Sequence, residues 1–60
     1  MFEIFINKKA KVFLKNGFVY AGLITEATDN FLSIKDDKKQ LDVIINCMMI
    51  DKIIEEKNDN

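Results

Sequence analysis

The side chains that most often perform catalysis are scarce in this sequence. There is no histidine, and the one cysteine, Cys47, lies in an apolar run with no imidazole to activate its thiol. A cysteine in such surroundings is more often buried and inert than reactive. Asp36 and Asp37 are adjacent, so their carboxylates would point apart on a strand or in a loop, unlike a working acid–base pair. We therefore predict that the protein is not an enzyme and that it holds no metal and no cofactor.

Aromatic and lysine side chains around Phe13 have the types and spacing of a binding surface for nucleic acid. If the aliphatic residues on either side of Phe13 face the interior, the alternation of a strand turns Phe13 outward with Lys11 and Lys15. An outward aromatic side chain flanked by lysines suits single-stranded nucleic acid, because bases stack on it and the ammonium groups attract phosphate. Phe18 and Tyr20 would extend this surface, or would instead pack against the N-terminal segment or a neighbouring copy.

Any affinity for RNA must come from local surfaces, because the net charge of the chain is only −1. All nine basic side chains are lysines, and there is no arginine. Lysine is a point charge suited to loose contact with phosphate, whereas arginine would give bidentate or stacked recognition. The composition therefore favours recognition by base stacking and by backbone groups.

Short strands and tight turns must position these side chains. Apolar and β-branched runs predict five strands, at residues 12–14, 18–27, 31–35, 41–45 and 50–54. The weaker segment at residues 46–49 predicts a tight helical turn. Five short strands without a long helical pattern predict an all-β fold, a small and strongly bent SH3-like barrel.

Two glycines shape the predicted barrel. Asn16-Gly17 between two apolar runs is a strong hairpin signal, and a two-residue turn of this kind requires a positive φ at both residues. Gly22 interrupts the second strand, as expected at a bend, a bulge or a close backbone approach. Asp29-Asn30 predicts the next turn. A bent strand between two hairpins curls a small sheet into a barrel.

The chain divides into three parts within a single domain, residues 1–60. Residues 1–10 predict an arm or a short helix that packs on the barrel, residues 11–54 form the barrel, and residues 55–60 form a polar tail that frays. Residues 35–40, K-D-D-K-K-Q, predict a charged turn. A solvated loop whose charges largely cancel is the favoured interpretation of this turn, and a lysine contact with phosphate is the alternative.

A chain of 60 residues needs support beyond its own core, because it buries only about 60% of its extended surface. A single cysteine rules out an internal disulfide, and without histidine it cannot build an ordinary zinc site. Self-association is therefore the predicted support. The free thiol, the lack of a signal-peptide pattern and the lack of a membrane-spanning segment predict a cytoplasmic protein with no membrane partner.

The spacing of the first hairpin resembles a known family. The segment V-x-L-K-N-G-x-x-Y-x-G-x-I, residues 12–24, resembles the first motif of Sm-like proteins. Within it, F-L-x-N-G-F-x-x-x-G-x-I is similar to the bacterial Hfq form of that motif. The resemblance implies a five-stranded barrel that closes into a homomeric ring, a hexamer or heptamer, by strand pairing between neighbours. It also implies binding of single-stranded RNA, as an RNA chaperone or scaffold.

The resemblance implies two RNA-binding surfaces. In Hfq-like rings the distal face takes adenine-rich RNA, and the corresponding positions here are Phe13, Gly17, Phe18 and Tyr20. The second surface would be the Asp29-Asn30-Phe31 turn, where Hfq has Asp-Gln-Phe. There Phe31 would stack on uridine near the central pore, Asn30 would make polar contacts, and Ser33 would lie near a base-reading position.

The sequence departs from the family pattern in two places. The spacing from Gly22 to Asp29 is one residue longer than in the family. Ile-Asn-Cys-Met-Met-Ile stands in the second motif, so Cys47 and Met48 replace the Lys and His of Hfq. An alternative interpretation follows from these departures. In it, an SH3-like barrel binds another protein through its apolar edges, assembles with it, and binds no RNA.

Overall fold

The structure, a computed structural model, describes residues 1–57. Over this part of the chain it contains five β-strands and two single-turn 3-10 helices. The strands are β1 Lys9–Leu14, β2 Val19–Ala27, β3 Phe31–Asp36, β4 Asp42–Asn46 and β5 Ile50–Glu55. The 3-10 helices are Glu3–Phe5, before β1, and Cys47–Met49, between β4 and β5. All five predicted strands are present, and the predicted helical turn at residues 46–49 is the second 3-10 helix.

The five strands form one antiparallel sheet in the order β4-β3-β2-β1-β5. Strands β1 to β4 pair with their neighbours in sequence, whereas β5 returns to pair with β1. The result is a small, barrel-like all-β fold, which confirms the predicted fold class. Within the described chain β4 and β5 each pair with only one other strand, so they are the two edges of the sheet.

Side chains that alternate along the strands form the core, as a period-2 pattern predicts. In β1, Ala10 and Val12 are buried while Lys9 and Lys11 are exposed. The buried apolar side chains of the described chain are Ala10, Val12, Ile24, Leu32, Ile34, Ile45 and Ile50. Most of them are aliphatic and β-branched, which suits packing on a pleated surface.

The N-terminal segment packs on the barrel, as predicted for residues 1–10. Phe2, which precedes the first 3-10 helix, and Phe5, its last residue, pack against the core. The strand, however, begins earlier than predicted, because Lys9–Leu14 is all β1. Ala10 belongs to the sheet rather than to the arm, since it is fully buried.

The turn between β1 and β2 differs from the predicted two-residue type. Gly17 has a φ of +94°, but Asn16 does not have a positive φ. The Leu14 N–H donates to the Phe18 carbonyl at 2.8 Å, and the Gly17 N–H donates to the Leu14 carbonyl at 3.0 Å. These bonds enclose a three-residue loop in which only the last residue needs the left-handed region. The prediction of two positive φ values is wrong, because Lys15 joins the loop and moves Asn16 to its middle.

Gly22 and a bulge produce the predicted bend in β2. A Cβ atom at Gly22 would lie 1.9 Å from the carbonyl oxygen of Lys35 in β3, so only glycine fits this close backbone approach. Further along β2, the pairing with β3 shifts between Ile24 and Glu26, which leaves Thr25 as the bulged residue. A bulge bends its strand and increases its twist.

Strand β5 extends further than predicted. Glu55 pairs with Ala10, and the Glu56 N–H donates to the Lys9 carbonyl at 2.9 Å. The prediction that residues 55–60 fray is therefore wrong for Glu55 and Glu56, because β1 also begins earlier and provides them with partners. Residues 58–60 of the predicted tail lie outside the described residues.

Candidate nucleic-acid interface

Strands β1 and β2 present an outward face with aromatic and basic side chains. Val12 is buried and Lys11 is exposed, so the alternation of β1 places Phe13 on the outer face. Phe13 pairs with Val19 and Lys11 pairs with Ala21 across the two strands, and residues that pair directly share one face. This is the predicted arrangement of Phe13 and Lys11.

A groove of about 650 Å³ opens between this face and the turn that joins β3 to β4. Three aromatic and three lysine side chains line it, and together they define the aromatic groove: Lys11, Phe13, Phe18, Tyr20, Lys38 and Lys39. Three of the predicted RNA-binding residues, Phe13, Phe18 and Tyr20, line the groove, although Tyr20 pairs with the buried Val12 and so lies on the core face of the sheet. Lys15 and Gly17, which were also predicted, do not line the groove.

Phe18 and Tyr20 contribute to the groove in different ways. Phe18 is 62% exposed, and its N–H donates to Asn16 Oδ1 at 3.0 Å, so the hairpin loop holds it at the rim. Tyr20 is half-buried and packs against the core. Phe18 therefore extends the exposed surface, as one prediction from the sequence has it. Tyr20 is packed, as the alternative has it, although it packs on the core rather than on the N-terminal segment.

Lys52 of β5 covers part of Phe13, which the sequence analysis did not predict. Its ammonium nitrogen lies 5.0 Å from the centre of the Phe13 phenyl ring, within the range of a cation–π contact. The two residues are directly paired across β1 and β5. No local pattern indicates this contact, because it depends on the pairing of the first strand with the last and on a register shift near Leu14.

Two carboxylates also line the aromatic groove, the buried Asp36 and the exposed Asp37. Asp37 Oδ1 lies 3.9 Å from the Lys9 ammonium, and Asp36 is only 8% exposed and accepts the Lys38 N–H at 3.3 Å. Among the described residues, the groove lysines that lack a carboxylate within 4.0 Å are Lys11, Lys38 and Lys39. The unpaired charge that the groove presents to solvent is therefore positive.

The turn between β2 and β3 is held by Thr28, which the sequence analysis missed. Thr28 Oγ1 accepts the N–H groups of Asn30 at 3.2 Å and Phe31 at 3.1 Å. A threonine that begins a T-D-N-F turn is the signal that identifies this cap. Asp29 and Asn30 lie in this turn, between the end of β2 at Ala27 and the start of β3 at Phe31.

The second surface consists of Asn30 and Phe31 with the 3-10 helix that follows β4. The Cys47 N–H donates to the Asn30 carbonyl at 2.9 Å, so the two turns lie together. Phe31 is partly exposed, and Met48 is largely exposed. Ser33 does not belong to this surface. It is only 8% exposed, because Glu26 and Ile44 flank it on the neighbouring strands, and its place near a base-reading position stays a prediction.

Comparisons with known proteins identify no relative. No family model, no curated protein and no solved structure matches the chain. The resemblance to Sm-like proteins therefore stays a prediction from the residues quoted above.

Resolved pKa shifts in the described chain occur at Met1 and Glu3. The Met1 ammonium and the Glu3 carboxylate form an exposed hydrogen bond, which raises the pKa of the ammonium and lowers the pKa of Glu3. Within residues 1–57 no three His, Cys, Asp or Glu side chains gather as metal ligands. No helix in this part of the chain is long and apolar enough to cross a membrane. What the candidate interface offers is stacking surfaces and positive charge.

Proposed function

We propose that this protein is an Sm-like barrel, most similar to bacterial Hfq, that binds single-stranded RNA without catalysis in the cytoplasm. The observation that carries the proposal is the aromatic groove, where Phe13, Phe18 and Tyr20 meet lysines that have no ion-pair partner among residues 1–57. RNA recognition in single strands relies on bases splayed onto aromatic side chains and on attraction of the backbone. This groove combines both.

Phe18 is the principal stacking residue of the proposed site. Its phenyl group is exposed, whereas Phe13 is partly covered by Lys52 and Tyr20 is partly packed. Stacking on an aromatic side chain contributes about 1–3 kcal/mol for each base and tolerates any base, because every base has a π-face. We therefore expect weak sequence preference and strong salt dependence.

Homomeric ring assembly is the second part of the proposal. The sheet ends in two different edge strands, and each carries an exposed apolar side chain: Ile44 of β4 is 69% exposed and Ile54 of β5 is 49% exposed. Pairing of β4 from one copy with β5 of the next is a head-to-tail contact, which closes into a ring when the rotation permits. A hexamer or heptamer would repeat the aromatic groove around the ring and collect RNA strands as a chaperone or scaffold.

Titration of labelled oligo-A and oligo-U at low and moderate salt tests the proposed RNA binding. We expect Phe18→Ala to weaken oligo-A binding by about 1–3 kcal/mol, because it removes one stacking surface without disturbing the core. Ile4→Ala is the matched control, since Ile4 is an exposed apolar residue outside the groove. Equal binding by wild type, Phe18→Ala and Ile4→Ala would contradict the proposal.

The competing function is that of an SH3-like assembly module that binds another protein and no RNA. The exposed Ile44 and Ile54 on the two edges favour it, because unpaired apolar edges suit strand addition by a partner. The same titration separates the two functions. Failure of both oligonucleotides to bind at low salt would leave the assembly module as the better account.

A further inference from the structure

The turn between β3 and β4 is fixed against the aromatic groove rather than free in solvent. The Asp37 N–H donates to the Ala21 carbonyl of β2 at 3.0 Å, which ties the turn to the neighbouring strand. Inside the turn, the Gln40 N–H donates to the Asp36 carbonyl at 2.8 Å, and Gln40 Nε2 donates to the Asp37 carbonyl at 2.9 Å. A turn held in this way keeps its lysines in place beside the groove.

The acidic and basic side chains at this turn have different surroundings. Asp36 is buried, whereas the Asp37 side chain is 47% exposed and lies 3.9 Å from the Lys9 ammonium in an exposed ion pair. Lys38 and Lys39 have no ion-pair partner in the described chain and line the groove. The turn, residues 37–41, carries two lysines and one aspartate, so its net charge is positive on the side that an incoming ligand meets.

The arrangement around the groove matches the two parts of a nucleotide strand. Phe13 of β1 and Phe18 of the β1–β2 loop offer stacking surfaces, and Lys38 and Lys39 line the same groove from the β3–β4 turn. A volume of about 650 Å³ lies within the range of about 300–1,000 Å³ that is usual for small-ligand sites. Bases on the aromatic side leave the phosphates facing the turn.

We propose that Lys38 and Lys39, rather than Lys15, hold the phosphodiester backbone of the bound strand. The inference rests on the proposed RNA binding and adds to it the residues that contact phosphate. Lys15 lies in the β1–β2 loop and does not line the groove. The contact is sequence-independent, because phosphates carry no base information.

The salt dependence of RNA binding tests this assignment. For single strands, the slope of log K against log salt changes by about 0.7 for each phosphate contact. We expect the double variant Lys38→Ala/Lys39→Ala to make the slope of log K against log salt for oligo-A less negative by about 1.4. Between about 50 and 200 mM salt, its affinity deficit relative to wild type should then shrink about 7-fold.

Two further double variants separate phosphate contact from general charge. Lys15→Ala/Lys57→Ala removes the same net charge from exposed positions outside the groove, and we expect it to leave the slope unchanged. Lys38→Arg/Lys39→Arg keeps the charge, and we expect it to retain the wild-type slope. Circular dichroism checks that each variant is folded.

The possible results distinguish this inference from the proposed function. An unchanged slope in Lys38→Ala/Lys39→Ala would overturn the inference, and so would an equal loss in both alanine pairs. In either case wild-type binding would still support the RNA function. No binding of either oligonucleotide by wild type at about 50 mM salt would overturn the proposed function and the inference together.

Discussion

Lys52 limits what Phe13 can contribute to a stacking surface. Its ammonium lies 5.0 Å from the centre of the phenyl ring, so a base that stacks on that face must first displace a cation. Phe18 has no such neighbour among the cation–π contacts of the described chain, and it is more exposed. At the level of single side chains, stacking is therefore expected to depend on Phe18 more than on Phe13.

Lys52→Met should reduce stability, because it removes the cation–π contact and keeps a side chain of similar length. Such contacts contribute about 0.5–1 kcal/mol at exposed sites. In a domain of this size, that corresponds to a fall in Tm of about 2–8 °C. Thermal denaturation followed by circular dichroism measures it. Lys57→Met is the control. In a Phe13→Leu background, Lys52→Met should leave the Tm unchanged. An equal Tm for Lys52→Met and wild type would exclude the cation–π contact.

The sequence predicted the orientation of Phe13 but not its partner. Alternation along β1 is a local property, so Phe13 and Lys11 could be placed outward from the pattern alone. Lys52 reaches Phe13 only because β5 pairs with β1, and the register shift near Leu14 sets which residue arrives there. The burial of Ser33 could not be predicted for a related reason, since it depends on neighbours from two other strands.

Among the elements, β2 determines the shape of the sheet. Its glycine allows the backbone of β3 to approach, and its bulge at Thr25 bends the strand between two hairpins. The same approach brings the β3–β4 turn to Ala21 and so to the aromatic groove. A distortion at Gly22 would therefore affect both the fold and the candidate site.

Gly22→Ala should destabilise the protein more than Gly17→Ala. The Cβ of an alanine at Gly17 would meet no atom of the described residues within 4 Å. Only the left-handed φ would destabilise the folded state, by about 1–2 kcal/mol. Alanine at Gly22 would collide with a backbone carbonyl that sheet pairing holds, so we expect at least the upper part of the range of about 1–3 kcal/mol for overpacking. Urea denaturation at one fixed protein concentration gives both values, and a larger loss for Gly17→Ala would contradict the close approach.

Strand positions were predictable, but turn geometry and strand ends were not. Apolar runs and turn residues located all five strands, because both signals are local. Asn16-Gly17 indicated a hairpin correctly but not its loop length, since the hydrogen bonds of Leu14 decide that length. β5 continued to Glu55 because β1 offered partners that the polar sequence does not reveal.

At the level of the whole molecule, the proposed assembly rests on the two edge strands. We expect light scattering to give a mass several times the 7.0 kDa of one chain. Ile44→Lys and Ile54→Lys should each shift the protein toward the monomer, because lysine on an edge strand opposes strand pairing. Ile4→Lys, at an exposed position on the first 3-10 helix, should leave the mass unchanged. A wild-type monomer at micromolar concentration would contradict ring assembly.

The fold class of the whole molecule could be predicted because a chain without long helical patterns has few ways to bury its apolar residues. Its candidate site could be predicted only in part. The aromatic half of the groove follows one hairpin motif, whereas the lysine half comes from a charged turn whose position depends on tertiary hydrogen bonds.

The bend at Gly22 and Thr25 has a consequence for polymers of this chain. A head-to-tail contact between unlike edges has no built-in end point, and only the angle between successive copies decides whether growth stops. A variant that still folds but flattens β2 would change that angle. On the proposed assembly, such a variant would grow into open filaments, visible by electron microscopy, instead of particles of one size.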